Sequence, residues 1–317
     1  MGNELLGYQS TIKERVSLSG VGVHTGADVS ITLLPADANC GVIFHKIGTD
    51  GEITEVRAVF HETGPTDLCT VLGRNEASRI ATVEHIMSAL SALGVDNVIV
   101  LIEGAEVPIM EGSGQAFVEA IEQAGILTQA AKRRYIRVTK PVRVSQGASW
   151  AEFRPYEGTR FEVEIDFECP LIGRQMYAGD ITPDSYRRDI ARARTFGFMR
   201  HVEHLWASGH ALGSSLENSV VIGDDDKVVN QGGLRWADEF VRHKTLDAIG
   251  DLALAGAQFI GCYRSYRGGH RLNGLALQTL LSDSSAFEIV ESKRRERRGA
   301  GVELVAVNAA AFSPWML

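Results

Sequence analysis

A histidine and two aspartates recur at four-residue intervals in one stretch of the chain, at His243, Asp247 and Asp251. If this stretch is helical, the three side chains lie within an arc of about 80° on one face of the helix. Imidazole and carboxylate groups one turn apart can bind the same divalent metal ion, and these ligand types suit zinc. A solvated helix face has the same spacing, so this stretch alone does not distinguish a metal site from an exposed helix face.

A second histidine, His85, has a sequence context in an earlier part of the chain that is similar to that of His243. His85 opens a periodic apolar stretch that runs into Gly94 and an apolar strand, and His243 precedes Gly256 and another apolar strand. This weak repeat predicts two α+β halves that face each other about a pseudo-two-fold axis and bring the histidines together. His85, His243 and Asp247 would then supply three ligands and leave a fourth position for water, as in catalytic zinc sites.

Two further groups are suited to proton transfer. Glu84 would point about 100° away from His85 on a helix, so we expect it beside the metal, where it could take a proton from water. The alternative is a first-turn carboxylate that interacts with the helix dipole. His270 follows two glycines in a predicted flexible turn and could protonate a leaving amine, with Asp251 raising its pKa. The alternative is a histidine exposed on a loop.

The segment after a basic stretch near residues 185–193 offers different chemistry. Thr195 has a hydroxyl that could donate a hydrogen bond to an oxyanion. Apolar residues separated by polar ones follow, among them Met199, Val202 and Leu216. These residues would either belong to the core or line a groove for an acyl chain.

Composition restricts the class of protein. The 317 residues carry a formal net charge of −8, which argues against a nucleic-acid-binding protein that depends on bulk positive charge. The four cysteines form no CxxC pair, so we expect buried free thiols in a reducing compartment. No signal peptide and no membrane span are predicted, and the expected location is the cytoplasm.

The order of predicted elements indicates an α+β fold with two similar domains. We predict helices that begin after an N-cap at Thr82 and that cover residues 116–124, 185–193 and 272–281, with strands between them. A charged junction near residues 126–134 is the expected boundary. The predicted domains are residues 1–130 and 131–290, followed by a solvated C-terminal tail over residues 291–317.

Several motifs follow one another along the chain: GVGVHTG at 20–26, TVEH at 82–85, PIMEGS at 108–113, ARTFGF at 193–198, EFVRHK at 239–244, DAIGD at 247–251 and GH at 269–270. Together and in this order they resemble the UDP-3-O-acyl-N-acetylglucosamine deacetylase family, the zinc amidases of lipid A synthesis in Gram-negative bacteria. The resemblance implies a two-domain α+β sandwich with a small insert in each domain. It also implies hydrolysis of the acetamide of a UDP-3-O-(3-hydroxyacyl)-N-acetylglucosamine to acetate and a free amine.

The resemblance also implies roles for individual residues. One Zn²⁺ per chain would be bound by His85, His243 and Asp247. The implied catalytic groups are the base Glu84, the acid His270 with its partner Asp251, the oxyanion donor Thr195, and Lys244 near the substrate.

Substrate contacts are implied as well. Phe196 would contact the sugar, Arg267 would contact the UDP phosphates, and an acyl passage would be lined by Met199, Val202 and Leu216. Thr139 departs from a lysine that some members use for the nucleotide, and Lys140 or Arg137 could replace it. We expect a monomer with a small-molecule substrate and no nucleic-acid partner. The alternatives are a zinc amidohydrolase for another acylated amino sugar, and a non-catalytic binder of nucleotides or acyl chains with a structural metal.

Overall fold

The structure is a computed structural model, and it describes residues 7–65, 68–293 and 303–307. Within these residues the chain is a mixed α+β protein. The six α-helices are α1 (Glu84–Leu93), α2 (Gln115–Ala124), α3 (Pro183–Asp189), α4 (Met199–Ala207), α5 (Glu239–Ala253) and α6 (His270–Ser282). A 3-10 helix spans Phe60–Glu62.

A five-stranded sheet is built from the first part of the chain. Its strands, in chain order, are β2 (Val16–Val21), β3 (Asp28–Pro35), β4 (Val42–Ile47), β5 (Ile53–Arg57) and β6 (Val98–Glu103). Their order across the sheet is β2-β3-β6-β4-β5, and β4 and β6 are parallel. Burial alternates along β3, where Val29, Ile31 and Leu33 face the core. The sequence alternates in the same way, because successive strand residues point to opposite faces.

A larger sheet is built from the second part of the chain. Its strands are β8 (Arg134–Val138), β9 (Val142–Gln146), β10 (Ser149–Arg154), β11 (Thr159–Asp166), β12 (Arg174–Asp180), β15 (Gln258–Tyr266), β16 (Phe287–Lys293) and β17 (Glu303–Val307). The long strand β15 is central: it pairs with β8 and β10 along one edge and with β11 along the other.

Two small sheets complete the strands that the structure describes. They pair β1 (Tyr8–Ile12) with β7 (Ile126–Lys132), and β13 (Phe196–Phe198) with β14 (Val220–Ile222). The pairing of β17 with β16 places residues 303–307 in the larger sheet. The predicted solvated tail starts at residue 291, but β16 extends to Lys293 and β17 belongs to the same sheet. The rest of the predicted tail lies outside the described residues.

Helices α1 and α5 lie in the interior and pack against each other. Nine of the ten residues of α1 and twelve of the fifteen residues of α5 are buried, so neither helix has a wide solvated face. This excludes the interpretation of the His243 stripe as a surface feature. Polar groups on such helices must find partners inside the protein, because an unpaired buried polar group is costly.

The boundaries of three helices differ from the predictions. Thr82 is not the N-cap of α1: Val83 occupies that position, and the Thr82 hydroxyl donates to Glu106 Oε1 at 2.8 Å. The predicted helix over residues 185–193 ends earlier, at Asp189, and α6 begins earlier, at His270. The prediction of Gly94 after the end of α1 is confirmed by its φ of 74°, in the left-handed region that favours glycine.

The polypeptide near residue 200 was expected to be loop-rich, but it contains α4, no residue of which is buried. The cysteine prediction holds for Cys69, Cys169 and Cys262, which are buried free thiols, whereas Cys40 is partly exposed. None of the helices in the described residues is long and apolar enough to cross a membrane.

A glycine allows α1 and α5 to approach closely. A Cβ atom added to Gly250 in α5 would lie 2.0 Å from the backbone oxygen of Glu84, at the start of α1. No side chain fits there without moving one helix relative to the other. The bare backbone at Gly250 therefore sets the distance between the helix that carries Glu84 and the helix that carries His243.

The Gly250→Ala substitution is expected to destabilise the protein by about 1–3 kcal/mol, because overpacking a well-packed contact forces backbone shifts. Denaturant unfolding measures this change. Gly274→Ala is the matched control, since Gly274 lies in α6 and an added Cβ would meet nothing within 4 Å. That control should be neutral or stabilise by about 0.4–1 kcal/mol. Equal stability of the two variants would contradict the close-contact role of Gly250.

Candidate metal centre and proton-transfer groups

Three buried side chains, His85, His243 and Asp247, have the arrangement of metal ligands. No other such group occurs among the described residues. His85 is the second residue of α1, and His243 and Asp247 lie one turn apart on α5. One ligand atom from each side chain lies within 4.8 Å of the others. The crossing of α1 and α5 thus unites groups that are more than 150 residues apart in the sequence.

The orientation of the ligand atoms fits a cation. His243 Nδ1 lies 3.0 Å from the Ala193 backbone oxygen, to which it can donate, and this leaves Nε2 with its lone pair. His243 Nε2 lies 3.3 Å from Asp247 Oδ1, and His85 Nε2 lies 3.7 Å from the same oxygen. Asp247 Oδ1 is buried and has no hydrogen-bond partner among the residues that the structure describes. Two imidazole nitrogens around an unpartnered carboxylate oxygen form a donor set that suits zinc.

Local electrostatics hold these groups in their ligand forms. Burial, assisted by the neighbouring His243, lowers the pKa of His85 to about 3, so its imidazole is neutral. Burial alone would raise the pKa of Asp247, but His243 and Lys244 lower it well below its usual range. Lys244 Nζ donates to the second oxygen of Asp247 at 2.9 Å. The carboxylate is therefore ionised, as a metal ligand must be.

Glu84 lies beside the ligand cluster at the start of α1. Its Oε2 accepts a hydrogen bond from the Thr70 backbone at 3.0 Å, and its Oε1 lies 3.8 Å from His270 Nε2. Burial raises the pKa of Glu84 to about 8; His270 opposes this rise, and the carboxylates of Asp251 and Asp247 add to it. A carboxyl group whose pKa lies within about one unit of neutral pH can both accept and return a proton.

His270 is the first residue of α6 and is largely buried, so the prediction of an exposed or flexible turn at this position is wrong. Its Nδ1 lies 3.0 Å from Asp251 Oδ2. Burial alone would lower its pKa, but the carboxylates of Asp251 and Glu84 raise the pKa of His270 to about 9. The imidazole is therefore a cation at neutral pH.

Two other predicted site residues, Phe196 and Lys244, lie next to this cluster, and Thr195 adjoins the first of them in sequence. Phe196 is the first residue of β13, and its ring centroid lies 6.4 Å from that of His243. Lys244 Nζ lies 5.7 Å from the Phe196 ring centroid. Thr195 directly precedes Phe196, and its backbone N–H donates to Gly112 O at 2.7 Å. Thr195 also lies two residues after Ala193, whose backbone oxygen accepts a hydrogen bond from His243.

The predicted acyl-passage residues lie outside the core. Met199 and Leu216 are exposed, and Val202 is half-buried. The interpretation of these residues as ordinary core is therefore wrong. Arg267 is exposed in the turn between β15 and α6, three residues before His270.

Thr139 and the two cationic residues near it, Arg137 and Lys140, form hydrogen bonds or ion pairs with residues 283–288. The Thr139 hydroxyl donates to the Ser285 backbone oxygen at 3.1 Å, and Lys140 pairs with Asp283 at 2.9 Å. Arg137 pairs with Glu288 at 3.0 Å. Each cationic side chain that could replace the missing lysine already has an acidic partner.

Several groups that organise the site were missed from the sequence. They are Thr70, the Ala193 carbonyl, Glu239, Tyr263 and Asn273. Most of their partners are distant in sequence, and only Glu239, one turn before His243 on α5, has helical spacing with a metal ligand. Only the ARTFGF and EFVRHK motifs, which contain Ala193 and Glu239, marked two of these positions as part of a pattern.

Buried ligands from two helices, with a carboxylate and a cationic imidazole beside them, are typical of the single-metal hydrolase class. Sequence comparison gives the particular family. The chain belongs to the UDP-3-O-acyl N-acetylglycosamine deacetylase (LpxC) family, whose model matches residues 9–282.

Similar proteins carry the same name. The proteins from Brucella ovis, Brucella canis and Brucella suis called UDP-3-O-acyl-N-acetylglucosamine deacetylase are each 61% identical to this chain over 285 residues. Each match covers 90% of this chain and 99% of the relative. The comparison therefore spans nearly the full length of these relatives, including every residue of the candidate site.

Proposed function

We propose that the protein is a zinc-dependent amidohydrolase that removes the acetyl group from UDP-3-O-(3-hydroxyacyl)-N-acetylglucosamine. The products are acetate and the free amine, in an early committed step of lipid A biosynthesis. The observation that carries this proposal is the cluster of His85, His243 and Asp247, flanked by Glu84 and His270, in a chain 61% identical to named deacetylases.

The three clustered side chains would hold one zinc ion per chain. Zinc bound there would supply Lewis-acid polarisation of the acetamide oxygen and lower the pKa of a water molecule to about 7. His243 is held in the required tautomer by the Ala193 carbonyl, and Lys244 orients Asp247 through its second oxygen. Such partners of ligand side chains typically contribute 10- to 100-fold in metal affinity, by rough estimate.

Glu84 takes a proton from the water molecule whose oxygen attacks the acetamide carbonyl carbon. It is placed for this role by the Thr70 backbone N–H, which fixes one carboxylate oxygen and leaves the other directed towards His270. Water exclusion at this buried position strengthens the electrostatic interactions on which the proton transfer depends.

His270 donates a proton to the amide nitrogen as the carbon–nitrogen bond breaks. Asp251 keeps the imidazole cationic and bonds its Nδ1, so that Nε2 is the proton donor. The new carbon–oxygen bond is part of the acetate product, and the nitrogen remains on the sugar as the free amine. Thr195 donates a hydrogen bond to the carbonyl oxygen while negative charge develops there, and Lys244 adds a nearby positive charge.

The remaining substrate contacts are part of the same proposal. Phe196 supports the sugar beside His243, and Arg267 meets the UDP phosphates from the exposed turn before α6. Met199, Val202 and Leu216 line the passage for the acyl chain, which accounts for apolar side chains that are not packed into the core.

The larger organisation is part of the same proposal. Residues 1–130 and 131–290 form two similar domains about a pseudo-two-fold axis, with α1 and α5 as equivalent central helices. In support, each helix is followed by a buried strand, β6 after α1 and β15 after α5. The protein works as a cytoplasmic monomer on a small-molecule substrate.

A deacetylase assay with two substrates tests the function. The protein should release acetate from the acylated nucleotide sugar far faster than from UDP-N-acetylglucosamine, which lacks the acyl chain. Comparable rates on the two substrates would instead favour an amidohydrolase for another amino sugar, and no release from either would contradict the proposal.

The Asp251→Asn substitution is expected to move the alkaline limb of the pH–rate profile to lower pH by about 1–3 units. Asp251 raises the pKa of His270, and the proton that His270 donates is lost as the pH rises through that pKa. Without the carboxylate the proton is lost at lower pH. Profiles of kcat against pH for both proteins measure the shift, and an unchanged alkaline limb would show that His270 is not the proton donor.

A further inference from the structure

Thr70 contacts both of the proposed proton-transfer groups beside the candidate metal centre, Glu84 and His270. Its backbone N–H donates to Glu84 Oε2 at 3.0 Å, and its backbone oxygen accepts from Val83 N at 3.3 Å. Its hydroxyl donates to Asp251 Oδ1 and lies 3.2 Å from His270 Nδ1. One buried residue therefore joins the start of α1 to α5 and α6.

Asp251 receives three hydrogen bonds and has a fixed orientation. The donors are the Thr70 hydroxyl, the Asn273 amide at 2.7 Å and His270 Nδ1 at 3.0 Å. Tyr263 in turn donates to Asn273 Oδ1 at 2.6 Å, which fixes the direction of the amide. A carboxylate held at both oxygens cannot rotate, so the imidazole bonded to it is held in one position as well.

We propose that Thr70 is a positioning residue that sets the separation between the proton acceptor Glu84 and the proton donor His270. It acts through two bonds of one residue, the backbone N–H to Glu84 and the hydroxyl to Asp251, and it touches neither the substrate nor a metal ligand. This inference rests on the proposed function, in which Glu84 and His270 act on opposite sides of the same amide bond.

The surroundings explain why a hydroxyl is needed at this place. A cavity of about 650 Å³ is lined by Thr70 and Asp251 together with residues of α6, among them His270, and of the 3-10 helix. Loss of the hydroxyl would remove one of the hydrogen bonds to Asp251 Oδ1, and the Asp251–His270 pair could then move within the space that the cavity offers.

The Thr70→Val substitution tests the proposal, because it keeps the shape of the side chain and the backbone bond to Glu84 but removes the hydroxyl. We expect kcat to fall about 10- to 100-fold with KM within about two-fold of wild type, as for a displaced proton donor. Thr70→Ser keeps the hydroxyl and should restore kcat to within about three-fold of wild type.

Thr279→Val is the matched control. The Thr279 hydroxyl bonds the Leu275 backbone oxygen within α6, away from the site, so its loss should leave both kcat and KM unchanged. Thermal unfolding and metal content of all three variants show whether a loss of rate reflects misfolding or metal loss.

A second measurement does not depend on turnover. In protein labelled with ¹⁵N-histidine, the His270 ring signals are identified by their loss in His270→Gln. Thr70→Val should shift these signals, and Thr279→Val should leave them in place. If the wild type does not deacetylate the substrate, the proposed function fails, and these spectra alone decide whether Thr70 holds the Asp251–His270 pair.

Three results would overturn the role of Thr70. They are a Thr70→Val protein with wild-type kcat, a Thr70→Ser protein as slow as Thr70→Val, and unchanged His270 signals in Thr70→Val. A rise in KM with kcat unchanged would place Thr70 in substrate binding and would also contradict the proposal.

Discussion

Replacing Glu84 with glutamine is expected to lower kcat by about 10²- to 10⁴-fold, while the protein retains its metal. The carboxamide has nearly the same shape and its oxygen can still accept from the Thr70 backbone, but it cannot take a proton from water. Glu84 is not among the three clustered ligands, so metal binding should not depend on it. Steady-state kinetics and metal analysis of the purified variant measure the two effects separately.

Glu119→Gln controls for the loss of one carboxylate. Glu119 is an exposed residue of α2, and its replacement should leave kcat at the wild-type value. A Glu84→Gln enzyme with wild-type turnover would remove Glu84 from the proton transfer. A variant that lost its metal would assign Glu84 a ligand role that the geometry of the cluster does not give it.

The His243→Ala substitution is expected to abolish both metal binding and deacetylation. It removes one of three ligands and leaves Asp247 with one imidazole neighbour fewer in a buried site. Partners that only orient a ligand contribute roughly 10- to 100-fold in metal affinity, so loss of the ligand itself should weaken binding by more than about 100-fold. Competition with a metallochromic chelator measures the affinity, and the acetate-release assay measures the rate.

His45→Ala is the control for His243→Ala. His45 lies on β4 and pairs with Glu55 near the surface, so this variant should keep its metal and its activity. Retention of tight metal binding by His243→Ala would contradict the proposed ligand set. Together with Glu84→Gln, this pair of variants separates the residue that holds the metal from the residue that moves the proton.

The parts of the site that follow local periodicity could be predicted from the sequence. His243 and Asp247 lie one turn apart because they are four residues apart on a helix, and the matching position of His85 indicated the helix that completes the cluster. The hairpin of β2 and β3 and the left-handed Gly94 were predictable for the same reason, since each depends on residues that are close in sequence.

The parts that depend on tertiary packing could not be predicted. The Thr70 hydroxyl reaches Asp251 across 181 residues, and Asn273 orients the same carboxylate from another helix. His270 was expected in a flexible turn because two glycines precede it, but it is the first residue of α6 and its side chain is largely buried. Thr82 has a good N-cap side chain, yet its hydroxyl bonds Glu106, a tertiary contact that the helix pattern does not contain.

The central claim is that zinc held by His85, His243 and Asp247 is required for hydrolysis of the acetamide. Metal analysis combined with the deacetylase assay, before and after treatment with a chelator, tests it most directly. We predict that the chelated protein loses its metal and its activity, and that one zinc ion per chain restores the activity. Full activity in protein shown to be free of metal would contradict the account.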